Sequence, residues 1–148
     1  MVPAQRLKGQ RVYFDANVII YQLIGYEPLQ PQLAAVFGLV DRGECQAITS
    51  ELTLAEIMVK PLRDGDAALQ ARCLAALESS GRFALEPVTR DVLIASAGIR
   101  ATRTCKLPDA IHVACAQDAG CSVLLTNDHR LRGMPGLDIV VLAEIEPM

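Results

Sequence analysis

The sequence predicts an α/β fold built on a parallel sheet, and three observations carry that expectation. Strand-length apolar runs such as Val12-Tyr13-Phe14 and Val123-Leu124-Leu125 alternate with longer stretches of helical spacing. Turn formers and helix caps separate the two kinds of segment. Regular alternation of this kind belongs to parallel α/β sheets.

In chain order, residues 11–14 read as a short buried strand, and Val18-Ile19-Ile20-Tyr21 begins an apolar helix. Residues 25–32, with Pro28 and Pro31, read as a break. Residues 33–42 have helical spacing and end at Gly43, a good C-cap. Gln46-Ala47-Ile48 is a second strand. Thr49 or Ser50 then caps a helix that runs through Glu56 to about Lys60, where Pro61 is expected to stop it. Asp64 or Asp66 opens the next helix, which ends near Ser80-Gly81. Residues 83–88 form a strand, and Thr89 caps a helix from Arg90 to about Arg103. Pro108 suits the first turn of a helix ending by Gly120. Residues 122–126 are a strand, 133–136 a loop and 138–142 a last strand. No repeat, low-complexity tract or linker interrupts the series, so one domain over residues 1–148 is expected.

A chain of 148 residues buries roughly 70% of its unfolded surface. With 51% hydrophobic and 21% charged residues it is globular rather than disordered. No apolar run approaches the roughly 18 residues of a spanning helix. Residues 1–11 carry Arg6, Lys8 and Arg11 but no apolar stretch of the kind a secretion signal needs, so a cytoplasmic location is expected. Cys45, Cys73, Cys105, Cys115 and Cys121 include no CxxC pair, and their odd number with only two histidines argues against zinc. Reduced thiols are the simple account, with Cys73 and Cys115 as core residues.

Four acids stand where an unpaired charge is costly to bury. Asp15 ends the first strand and Asp128 follows Leu124-Leu125-Thr126-Asn127. Glu56 interrupts the helical face of Leu52, Ala55 and Val59, and Asp109 opens an apolar helix. Each has an ordinary structural use: Asp15 and Asp128 as caps, Asp109 as a complement to a helix dipole. Glu56 is harder to dismiss, because a mid-helix acid on an apolar stripe needs a partner. Asp118 is turned about 180° from Asp109, which makes it a surface residue, and Glu51, about 140° from Glu56 in the first turn, is accounted for by the helix dipole. Ligands of open parallel sheets bind at the strands' carboxyl ends, where Asp15 and Asp128 would both face. Clustered carboxylates of this kind call for a hard cation, Mg²⁺ or Mn²⁺ rather than zinc, and point to metal-assisted chemistry on phosphates.

A net charge of −3 argues against broad electrostatic binding of nucleic acid, but local clusters exist. Arg100, Arg103 and Lys106 fall in a stretch without acids, and Arg130 and Arg132 follow Asp128. Arg100, Arg103, Lys106 and Arg130 are the candidate substrate-binding cations. Solvated helix ends are the bland reading. His112 lies near the face of Asp109 and reads more simply as a packed, hydrogen-bonded residue than as a ligand. His129 reads as an exposed bystander. Tyr21 and Tyr26 are the plausible stacking residues, and with no Trp a stacking code for sequence is not supported.

The stretches Val12-Tyr13-Phe14-Asp15-Ala16-Asn17-Val18-Ile19, Ser50-Glu51-Leu52-Thr53-Leu54-Ala55-Glu56-Ile57, Leu107-Pro108-Asp109-Ala110-Ile111-His112-Val113-Ala114 and Leu124-Leu125-Thr126-Asn127-Asp128 resemble, in order and spacing, those of PIN-domain proteins. More narrowly they resemble VapC-type toxins of type II toxin–antitoxin pairs. The resemblance spans nearly the whole chain, although about ten residues precede the first strand, more than is usual in such toxins. It implies a three-layer α/β/α sandwich and a metal-dependent endoribonuclease. The implied acidic and metal-binding site is Asp15, Glu56, Asp109 and Asp128. Thr126 would orient it through its hydroxyl, and Asn17 is a further polar contact. It also implies an RNA substrate, a homodimer and a cognate antitoxin covering the active groove, for which the apolar residues 18–23 and 33–40 are candidate surfaces.

Three rivals are weaker. A haloacid-dehalogenase-like phosphatase needs a second Asp where Asn17 stands, and a receiver domain needs paired early acids and a late Lys, whereas the last lysine is Lys106. A catalytically silent PIN module that only binds a partner is the remaining alternative, against which the four intact acids argue.

Overall fold

The computed structural model describes residues 1–147. In chain order the elements are β1 (Val2–Pro3), β2 (Arg11–Phe14), α1 (Ala16–Ile24), α2 (Gln30–Asp41), β3 (Gln46–Ser50), α3 (Glu51–Ile57), α4 (Val59–Arg63) and α5 (Ala67–Glu78). There follow β4 (Phe83–Glu86), α6 (Arg90–Thr102), α7 (Leu107–Asp118), β5 (Val123–Thr126), β6 (Asp138–Val141) and β7 (Ile145–Glu146). Strands β4-β3-β2-β5-β6 form one parallel sheet, as the alternation predicts, with helices packed on both faces.

Period-two geometry divides the core. Side chains of successive strand residues point to opposite faces, so Val12 and Phe14 enter one apolar cluster and Tyr13 the other. The first cluster joins β2 to α1, α2 and α5 through Leu33, Val36, Phe37, Cys73 and Leu77. The second joins Tyr13, Ile48 and Leu124, neighbours across three strands, to Val92 and Ile99 of α6 and Val113 of α7. Burying each large side chain stabilises the fold by about 1.5–3 kcal/mol.

Local signals explain most boundaries. Thr89 Oγ1 accepts from Val92 N at 3.2 Å to cap α6, and Asp66 Oδ1 accepts from Leu69 N at 3.0 Å to cap α5. Gly25 closes α1 at φ 64°, a left-handed turn that glycine adopts without a Cβ penalty. Two prolines act differently from expectation. Pro31 lies inside the first turn of α2, which starts at Gln30, so the break before it is shorter. Pro61 does not stop a helix: the chain breaks at Met58, and Pro61 falls in the first turn of α4. A first-turn amide has no intrahelical partner to lose, so proline is tolerated there. The strands of residues 83–86 and 138–141 are shorter than expected, the latter giving way to a 3₁₀ turn at Leu142–Glu144. The parallel pair β1–β7 was not anticipated, since two-residue strands carry no periodicity.

The topology positions the site. From β2 the chain runs through α1 and α2 to β3 on one side, whereas β4 returns through α6 and α7 to β5 on the other. The crevice at the carboxyl ends of adjacent β2 and β5 is therefore the topological switch point. Among the described residues no helix is long and apolar enough to cross a membrane.

Candidate active site

Asp15 stands at that switch point, directly after β2, and is only 6% exposed. Its Oδ1 accepts from Ala16 N at 2.8 Å, which caps α1. Its Oδ2 accepts from Thr126 Oγ1 at 2.7 Å and from Asn17 Nδ2 at 3.3 Å. The Thr126 hydroxyl in turn accepts from Asp128 N at 3.1 Å, so one side chain at the end of β5 links the turns that carry both aspartates. Asn17 Oδ1 accepts from Asn127 N at 3.3 Å and draws the same turns together. The capping role expected of Asp15 is real, and it coexists with a place in the crevice.

Glu56 lies on α3, half-buried, and has the partner its position demanded: His112 of α7 hydrogen-bonds its Oε1 through Nε2. That same Nε2 lies 3.7 Å from Asp15 Oδ1. Asp109, one turn before His112 on α7, is partly buried. Burial pushes its carboxyl above the ordinary value of 3.8, and the negative charges of Asp15 and Asp128 push it in the same direction. Asp128 behaves oppositely. Its oxygens receive Arg130 Nε at 3.0 Å and Nη2 at 2.8 Å, together with Arg130 N at 2.9 Å. These hydrogen bonds, led by the guanidinium's, hold its carboxyl below the usual range.

Asp15 thus links the four acids: Asp109 feels its charge and that of Asp128, and Glu56 shares with it the Nε2 of His112. Their oxygens are donors suited to a hard cation. Among the described residues, however, no three acidic, histidine or cysteine side chains converge closely enough to hold an ion outright. Arg130 holds the Asp128 carboxylate in its present direction.

The candidate substrate cations divide. Lys106 lines an open cavity of about 320 Å³ with Thr104, Cys105, Asp109, Arg130 and Leu131. Arg130 reaches this cavity while clamping Asp128. Arg103 instead donates to Gly133 O at 2.9 Å and Arg100 to Cys105 O at 3.3 Å, tying loops together. A larger cleft of about 560 Å³ sits elsewhere, at the amino ends of the strands, but its Arg82 is paired with Asp41 and its Arg11 with Gln46 and Ala119 O. Tyr21 and Tyr26 stack on each other at 4.6 Å between centroids. His129 is exposed and 3.7 Å from Glu144.

Sequence reasoning did not find one buried chain of polar groups beneath the carboxylates. Tyr13 and His112 are 0% and 1% exposed, and the Tyr13 hydroxyl lies 2.8 Å from Ser50 Oγ and 2.6 Å from His112 Nδ1. The available signal was a hydroxyl-bearing residue in mid-strand, between Val12 and Phe14, together with a lone His on an apolar helix.

The family model of the PIN domain matches residues 12–137, and the chain belongs to that family. A search of curated protein sequences returned no match. Among solved structures, VapC-type toxins recur as neighbours. A chain from a toxin–antitoxin complex of Klebsiella pneumoniae is 26% identical with a TM-score of 0.66, covering 88% of this chain and 97% of its own. A chain of the Mycobacterium tuberculosis toxin–antitoxin system VapBC-5 is 25% identical with a TM-score of 0.58, covering 89% and 98%. A chain of Rickettsia felis VapBC2, solved bound to a DNA fragment from its promoter, shares the fold at 13% identity and a TM-score of 0.68, covering 88% and 97%.

Proposed function

We propose that this chain is a Mg²⁺- or Mn²⁺-dependent endoribonuclease and the toxin of a toxin–antitoxin pair, built as one PIN nuclease domain over residues 1–148. The observation that carries the reading is the gathering of Asp15, Glu56, Asp109 and Asp128 around the switch-point crevice, beside a cavity lined by Lys106 and Arg130. These four acids would hold the cation, which when bound supplies positive charge to a phosphodiester oxygen and acidifies water for attack on phosphorus.

The chain's own residues supply the rest. Asp15, fixed by Ala16, Thr126 and Asn17, gives the crevice a carboxylate that cannot swing away. Thr126 keeps the Asp128 turn in register with it. Lys106 and Arg130 meet the phosphates flanking the scissile bond, and a single strand or loop of RNA suits so open a cavity. Arg130 exchanges Asp128 for phosphate when RNA arrives, and its exposed side chain allows that movement. A basic side chain of an antitoxin would be drawn to the same acids. The Klebsiella pneumoniae relative, solved in a toxin–antitoxin complex, supports that choice of partner, and a homodimer is the assembly we propose.

The test is cleavage of a structured RNA with Mg²⁺ or Mn²⁺, comparing the protein with an Asp109→Asn variant purified in parallel. Cleavage that requires the cation and disappears in the variant is the expected result. Equal cleavage by both preparations would expose a contaminating ribonuclease. Absence of cleavage by either, with Mn²⁺ leaving the protein's melting temperature unchanged, would favour a silent PIN module that only binds a partner.

A further inference from the structure

We propose that His112 is a positioning residue for the nuclease site, holding Glu56 of α3 in register with Asp15 through a relay that begins inside the sheet. The inference rests on the metal-nuclease reading and adds to it a side chain outside the four acids.

The relay is continuous. Ser50 ends β3, Tyr13 lies in the central strand β2 and His112 is on α7. The Tyr13 hydroxyl is 2.8 Å from Ser50 Oγ and 2.6 Å from His112 Nδ1, and His112 Nε2 reaches Glu56 and faces Asp15 at 3.7 Å. Ionised carboxylates only accept, so Nε2 carries a proton toward Glu56, while Nδ1 pairs with the phenol oxygen of Tyr13 at 2.6 Å. The Tyr13 hydroxyl donates to Ser50 Oγ at 2.8 Å. Burial pushes the phenol far above its ordinary value, so it remains a hydroxyl capable of this donation.

The arrangement is better suited to orientation than to packing. An apolar side chain would fill the space between α7 and the sheet without leaving donors and acceptors to satisfy. Here two rigid rings span from the sheet floor to the crevice, and their last N–H points at the one site acid carried by a seven-residue helix that ends at Met58. Thr53 tethers α3 to β3 through Thr49 at 2.7 Å, but Glu56 lies nearly a turn further on. His112 supplies the missing anchor. With one Glu56 oxygen held by Nε2–H, the other is left free to face the crevice. Outer hydrogen bonds of this type orient metal ligands, and removing them typically weakens metal affinity or activity by about 10- to 100-fold.

Calorimetric titration of the RNA-free protein with Mn²⁺ reads the effect without turnover, and steady-state cleavage reads it separately. His112→Leu, which keeps bulk but no donor, is expected to weaken Mn²⁺ binding by about 10- to 100-fold. It should lower kcat while leaving KM for RNA near that of the parent. His112→Gln places an amide N–H near the position of Nε2 and is expected to recover most of the affinity. A merely structural histidine would give neither the split nor the rescue. If His112→Leu does not melt cooperatively, Tyr13→Phe decides, because it frees the ring while keeping its bond to Glu56. Weakened Mn²⁺ binding is then expected, and parental binding would overturn the proposal. Parental Mn²⁺ affinity in a folded His112→Leu, alongside a parent that cleaves RNA and an inert Asp109→Asn, overturns the positioning role alone. A parent that neither binds Mn²⁺ nor cleaves removes the nuclease reading and this inference together.

Discussion

Tyr13 and Phe14 are consecutive residues of one strand, equally buried, and they face opposite layers of the sheet. Phe14 meets Phe37 and Phe83 edge-on at 5.5 and 5.2 Å, in a layer where apolar burial and dispersion supply the stability. Tyr13 has a polar tip, and its layer carries a hydrogen-bonded path from Ser50 through His112 to the crevice. One sheet thus separates two tasks by the period of two. The α1–α2–α5 side supplies packing, and the α6–α7 side supplies packing plus a polar route to the carboxylates.

The largest effect expected from this contrast is on stability. Phe14→Ala should destabilise by about 3–5 kcal/mol, since the three-ring cluster cannot collapse into the void. Tyr13→Phe should cost about 1–3 kcal/mol, because it leaves buried His112 Nδ1 and Ser50 Oγ without the phenol. Urea unfolding measures both. Similar losses in the two variants would break the comparison, because Tyr13 would then be a packing residue like its neighbour.

A smaller effect separates the crevice itself from the layers beneath it. Burial and the charges of Asp15 and Asp128 hold the Asp109 carboxyl above its ordinary 3.8. Without a cation, the folded protein therefore binds this proton more tightly than the unfolded chain does. The resulting stability is complete below about pH 3.8 and is lost as pH rises through the raised pKa. Asp109→Asn escapes that loss. In chelator it should melt above the parent at pH 7, with the lead shrinking as pH falls toward 3.8. Mn²⁺ at 100 times its dissociation constant should reverse the order, stabilising the parent by about 2.7 kcal/mol and the variant by less. A parent that outlasts Asp109→Asn in chelator would mean that Asp109 is a satisfied helix-dipole residue and not a strained member of the site.

These contrasts were unevenly legible in the sequence. The five strands of the main sheet could be read because apolar runs of strand length cannot be mistaken for the longer helices between them. Glu56 could be singled out as an acid among apolar helix residues, and it is paired with His112, although Ala55 and Val59 of the expected stripe are exposed. What stayed hidden depends on pairings between distant residues. Tyr13 and His112 are 99 positions apart, and only the parallel register that puts β2 beside β5 brings α7 over Tyr13. Pro61 misled for a local reason: proline stops a helix only from its interior, and the break at Met58 turned residue 61 into a first-turn position. The cationic residues were equally ambiguous, because composition reports charge but not whether it is already engaged.

That ambiguity supplies the finest test, between cations tied into the fold and one facing the cavity. Arg103 donates to Gly133 O and Arg100 to Cys105 O, whereas Lys106, among the described residues, makes no ion pair or side-chain hydrogen bond. A free lysine at a phosphate contributes through counterion release. Lys106→Ala should therefore raise KM for RNA and reduce the slope of binding against log salt by about 1. Arg103→Ala should lose about 1 kcal/mol of stability or less and leave the salt slope unchanged, because its guanidinium already serves the loop at Gly133. Salt-dependent binding of a cleavage-resistant RNA measures both. If Arg103→Ala flattened the slope while Lys106→Ala did not, the RNA path would run over the α6 end toward Gly133, and the cavity beside Asp109 would not be where the strand lies.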